Sequence, residues 1–138
     1  MRIAGHSVLA ILAASAAMYV IGALIYGLLF SEAWMALSGY TKDSFAGQEW
    51  RMALSPVMPV LIAVGLSMLL RWRGAGTLGA GLSTGVIAAV FFLVSSRLYM
   101  FVYGVEPPGL LALDALHMVL IGAVGGAILG VWPKPKAA

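Results

Sequence analysis

Four stretches of this chain contain no Asp, Glu, Lys or Arg: residues 3–31, 52–70, 74–96 and 115–133. Each reaches the roughly 20 residues that an α-helix needs to cross a 30 Å hydrocarbon layer. Backbone groups in lipid must be satisfied internally, and none of the stretches alternates with the two-residue period of a barrel strand, which leaves helices. The pattern predicts an all-α, four-helix transmembrane bundle. Its spans fall near 7–30, 53–71, 75–97 and 110–131, within a single integral membrane domain covering 1–138. Composition points the same way: 62% of residues are hydrophobic and 9% charged, whereas soluble domains carry about 25% charged residues.

The first span has a basic start and small residues, "MRIAGHSVLAILAASAA", in the manner of a secretory signal. The apolar stretch then continues through "MYVIGALIYGLLF", past the roughly 7–15 residues of a signal's apolar region, so a retained helix is expected. Arg2, Arg71, Arg73, Lys134 and Lys136 fall on one side of the spans, and Lys42, Arg51 and Arg97 on the other. This excess places both termini in the cytoplasm and the chain in the cell (inner) membrane as a multi-pass protein. Trp34 and Trp50 map to the outer boundary and Trp72 and Trp132 to the inner one, the positions of an aromatic interface belt. The lipid bilayer is therefore the first expected partner. Eight basic residues form no patch, which argues against nucleic acid.

Apolar side chains gain little by leaving lipid for one another, so small residues decide which helix faces meet. Gly122, Gly126 and Gly130 recur at four-residue spacing, beside Gly125, and Thr77, Gly81, Gly85 and Ala89 repeat that spacing in the third span. The first span adds Ala10, Ala14 and Gly22 around Met18. These stripes predict tight packing, with a face left for a homo-oligomer or a larger membrane complex. Pro56 and Pro59 predict a kink or an opened turn near the outer end of the second span.

Asp114 and His117 interrupt the fourth span three residues apart, on neighbouring parts of one helical face. Ionisable groups inside a membrane are functional candidates by default. By depth, Arg97, Glu32 and Tyr26 share their outer half, so an Asp114–Arg97 pair is expected, with His117 bonded to a tyrosine or to Glu32. No catalytic motif, metal set or cofactor loop accompanies them. The chain has no cysteine, and His6 belongs to the opposite end of its span, as an interfacial residue without special duty. Enzyme chemistry is thus not expected. Two roles remain: a structural or accessory subunit packing through its Gly and Ala faces, or a binder or transporter of a small solute, lipid headgroup or proton at the polar cluster.

Two stretches, "GALIYGLLFSEAWMALSGYT" (22–41) and "LHMVLIGAVGGAILGVW" (116–132), resemble the small membrane proteins grouped as domain of unknown function 1761. Gly22, Leu24, Tyr26, Phe30, Ala33, Trp34 and Met35 carry the likeness, then His117, Gly126, Gly130 and Trp132. Relatives commonly place a Ser-Pro pair after the tyrosine, where this chain has Gly27 and Leu28. The resemblance implies about four spans over nearly the whole chain, and no activity.

Overall fold

A computed structural model describes residues 2–133, apart from the Lys42 side chain. Lys134 and Lys136, which enter the count of basic residues, lie outside the described residues. A small hairpin pairs β1 (Arg2–Ile3) with β2 (His6–Ser7), and Ser7 then caps α1 (Val8–Gly22) by accepting from the Ala10 N–H. A wide π-helical stretch, Ala23–Leu29, extends α1. After a break at Phe30, α2 (Ser31–Ser38) runs until Gly39, whose φ of 69° ends it in the left-handed region that glycine tolerates. Short 3-10 stretches at Lys42–Phe45 and Glu49–Leu54 lead to α3 (Val57–Trp72). A second π stretch, Ala89–Val94, joins α4 (Leu78–Ala88) to α5 (Ser95–Tyr103), and α6 (Pro108–Val131) completes the bundle. Four continuous stretches are long and apolar enough to cross a membrane: Val8–Leu29, Glu49–Trp72, Leu78–Tyr103 and Pro108–Val131.

The opened turn expected at the prolines falls at residues 55–56, inside the span Glu49–Trp72, where the 3-10 stretch gives way to α3. Pro56 is the N-cap of α3 and Pro59 lies in its first turn. First-turn N–H groups have no intrahelical acceptor, so Pro59 costs α3 no hydrogen bond, and the irregularity stays at the turn before it.

Helix α6 touches every other long helix, and its closest neighbour is α4. A Cβ built on Gly85 would overlap the Gly122 carbonyl, and one on Gly81 or Gly126 would overlap the other's carbonyl. A Cβ on Gly130 would come 2.6 Å from the Thr77 carbonyl oxygen. The two backbones are therefore in direct contact at three successive levels, over about two helical turns. Gly125 faces the other way and admits the Met18 sulfur and Leu66. Around this point Ala10, Ala14, Met18, Ala63, Leu66, Leu70, Ile121 and Leu129 form the core. The glycine stripes expected to leave a face for self-association are thus engaged within the chain. Leu9, Leu28, Leu61, Phe91 and Phe92, each about two-thirds exposed, cover the outside.

His6 is not an idle interfacial residue. The hairpin turn, with Gly5 at φ 103°, folds it inward until it is 7% exposed. Its Nδ1 lies 2.7 Å from the Ser67 hydroxyl, and its Nε2 donates to the Leu129 carbonyl at 3.0 Å. The Ser67 hydroxyl also lies 3.0 Å from the Ala4 carbonyl oxygen, the alternative acceptor for its one hydrogen. This polar knot ties the N-terminus to α3 and α6. Ser67→Ala is expected to lower stability by about 1 kcal/mol, measured by thermal unfolding in detergent, because buried hydrogen-bond partners are lost.

Candidate functional site

At the end of the bundle away from His6, four segments surround a cavity of about 550 Å³. Leu110, Asp114, His117 and Met118 line it from α6, at the i, i+4, i+7, i+8 positions that share one helix face. Tyr26 enters from the first π stretch, and Trp34, Leu37 and Ser38 come from α2. Arg97 comes from α5, and residues 104–107 form the rim with Tyr40.

A chain of polar contacts runs along the wall. The Tyr26 hydroxyl donates to Asp114 Oδ1 at 2.7 Å. Arg97 Nε lies 2.7 Å from Asp114 Oδ2. Its N–H is not aimed at an acceptor, so charge, rather than an aligned hydrogen bond, holds that contact. The Arg97 NH2 group donates to Glu106 Oε2 at 2.5 Å. One guanidinium therefore serves two carboxylates, whose side chains are 12% (Asp114) and 20% (Glu106) exposed. Arginine suits this because its donors fan out in a plane, where a lysine ammonium is a single point charge.

The His117 and Tyr26 rings meet in a T-shaped contact, with centroids 4.9 Å apart and planes at 73°. A Cβ on Gly22 would stand 3.2 Å from its Nε2, so the absent side chain of Gly22 makes room for the ring. Among the described residues no group hydrogen-bonds the His117 ring, which packs between Tyr26 and Gly22 and lines the cavity. The aromatic wall continues from Tyr26 to Trp34 (5.7 Å), from Trp34 to Tyr40 (5.6 Å), and to Phe45 stacked on Trp34 at 6.4 Å.

Two π stretches position these side chains. A π turn accommodates an additional residue, which rotates the succeeding residues by about 100° relative to an unbroken α-helix. Tyr26 lies within one such stretch, and Arg97 comes three residues after the other. The first stretch and the break at Phe30 leave Glu32 exposed on α2, away from the cavity walls, so the expected contact between Glu32 and His117 is not formed. Glu106 stands in the cluster instead. Its backbone is aimed by Val105, a β-branched residue held at φ 54°, a conformation that costs on the order of 1–3 kcal/mol. The signal available in sequence was that Glu106 is the one acid in the short connection between Arg97 and Asp114.

Of the four tryptophans assigned to an interface belt, Trp50 and Trp72 are 63% and 72% exposed. Trp132 packs against the core, and Trp34 lines the cavity. Among the described residues, no three His, Cys, Asp or Glu side chains gather as metal ligands.

Most of this architecture lies inside one family match. The profile of a family described as "Protein of unknown function (DUF1761)" matches residues 9–130. The chain belongs to that family. The match takes in every cavity-lining residue, from Tyr26 to Met118, and the contact between α4 and α6 up to Gly130. No curated protein and no solved structure matches the chain significantly. The DUF1761 match therefore brings membership of a family and no role, which must be argued from the cavity itself.

Proposed function

We propose that this DUF1761 protein is an integral protein of the cell membrane with four spans and cytoplasmic ends, and that it binds a small ligand in the cavity beside Asp114 and His117. The outward faces support the membrane setting. Large exposed apolar side chains surround a bundle that buries His6, Ser15, Ser67, Thr84 and Asp114, a pattern unlike that of a soluble protein. The observation that carries the binding reading is the combination of an open cavity with polar groups on its wall. A clasp that only joined helices would close on itself, whereas this network borders space of small-molecule size, with the His117 ring, free of hydrogen bonds among the described residues, on the same wall. The geometry gives less support to an accessory subunit joined through glycine faces. Gly81, Gly85, Gly122, Gly126 and Gly130 already meet each other inside the chain, so a partner would have to use the aliphatic and aromatic exterior.

Water access separates the two readings. The chain has no cysteine, so Met118→Cys introduces a unique thiol at the cavity wall, one turn beyond Asp114. In phosphatidylglycerol nanodiscs, iodoacetamide is expected to alkylate this thiol, since alkylation needs the thiolate and hence water. Ser15→Cys, in the core at 6% exposure, is expected to stay unmodified. Equal protection of both thiols would mean a sealed clasp and would end the binding reading.

A further inference from the structure

We propose that the ligand of this cavity is an organic cation, an ammonium or a related small amine; the proposal rests on reading the cavity as a binding site. The charge count comes first. Two carboxylates, Asp114 and Glu106, share the single guanidinium of Arg97, so the wall carries one negative charge more than positive when His117 is neutral. Arg97 is engaged by both acids, and an anion would have to displace one of them to reach it. A cation would supply the missing charge without breaking any contact.

The second observation is independent of charge. Tyr26, Trp34 and Tyr40 line the same cavity in a continuous series of ring contacts. Aromatic faces carry negative electrostatic potential and attract ammonium groups, most strongly when water is excluded, and aromatic cages are the recurring receptor for quaternary ammonium. An aromatic wall beside an unbalanced carboxylate suits both the apolar substituents and the charge of an amine. The volume of about 550 Å³ lies within the range of sites for small organic molecules. The ammonium has two possible sources, a lipid headgroup or a free amine in water.

The test uses Met118→Cys in phosphatidylglycerol nanodiscs, which contain no ammonium headgroup. Three probes of similar shape and different charge compete with iodoacetamide: tetramethylammonium, tert-butanol and pivalate. Tetramethylammonium alone is expected to slow alkylation. Glu106→Gln and Trp34→Leu, each combined with Met118→Cys, are expected to raise its half-protecting concentration about 3- to 30-fold. These variants also control for attraction of the probe to the anionic lipid surface, which they leave unchanged. Exchanging the lipid for phosphatidylcholine identifies the source. Protection by the lipid alone points to the headgroup, and protection that still needs tetramethylammonium points to a free amine; either outcome supports a cation site. Equal protection by tert-butanol or pivalate, no protection by any probe, or protection unchanged in both variants would overturn it. Failure of the cation while Met118→Cys still reacts leaves the binding cavity standing, whereas a Met118→Cys that never reacts removes the cavity reading itself.

Discussion

Gly85→Ala is expected to destabilise the protein by at least about 3 kcal/mol, beyond the usual range for one added methyl group. Overpacking in a core commonly costs about 1–3 kcal/mol because neighbouring side chains can shift. At Gly85 the obstacle is the Gly122 carbonyl, part of the α6 backbone, with the Gly126 Cα beside it. Relief requires the two helices to separate, which loses contact along the whole α4–α6 seam. With total stabilities of about 5–15 kcal/mol, this is a large share. A fall of roughly 10 °C in the thermal midpoint is expected in detergent, where a chain of this size loses about 3–4 °C per kcal/mol. Gly65→Ala is the matched control, because a Cβ there meets nothing within 4 Å. The loss should be independent of protein concentration, since the seam lies within one chain. A Gly85→Ala variant as stable as Gly65→Ala, or one that only changes an oligomer, would show that these glycines do not meet as described.

Arg97→Gln is the second large effect, expected to cost about 3 kcal/mol through the carboxylates it leaves behind. Removing one member of a buried pair leaves an uncompensated charge, typically worse than removing both. Here two acids lose the one cation that pairs with them among the described residues, and Asp114 is 9% exposed. Asp114→Asn alone is milder, since Arg97 keeps Glu106 and Tyr26 can still donate to the amide oxygen. The double variant Arg97→Gln/Asp114→Asn is expected to recover about 1–2 kcal/mol relative to the sum of the single changes, the coupling expected of groups in one network. Chemical unfolding of the four proteins measures the cycle. Additive losses would mean that Arg97 and Asp114 act independently, and the contact at 2.7 Å would then carry no stability.

Parts of the site are legible by depth alone. Arg97 near the end of one span and Asp114 near the start of the next lie at one level when the connection between them is short. Tyr26 falls at the same level. Glu32 also matches in depth, yet it leaves the site because depth ignores rotation about the helix axis. The π stretch at Ala23–Leu29 changes that rotation, and nothing in "ALIYGLL" announces a π turn. Glu106 was hidden for a related reason: its approach to Arg97 depends on Val105 adopting a left-handed backbone that its side chain disfavours. Sequence rules assign residues their preferred conformations, so a strained residue is where they fail.

His6 shows the same limit at the other end. Its position in the chain suggests a boundary residue, but a two-residue strand pair and a turn at Ala4 and Gly5 carry it back onto Ser67. Such a hairpin is too short to leave a periodic signal.

The number of apolar spans, their approximate ends and their composition are legible in the sequence, because solvation and backbone hydrogen bonding depend on composition and length. The sequence also reveals the glycine stripes, because close approach requires the absence of side chains wherever helices meet. Packing in three dimensions joins those stripes within one chain, brings Tyr26 and Arg97 to Asp114 through two π turns, and puts Glu106 in the place expected of Glu32. Those outcomes depend on relative rotation and pairing among elements of similar hydrophobicity. Hydrophobicity does not distinguish one apolar helix face from another; contacts between shaped surfaces do.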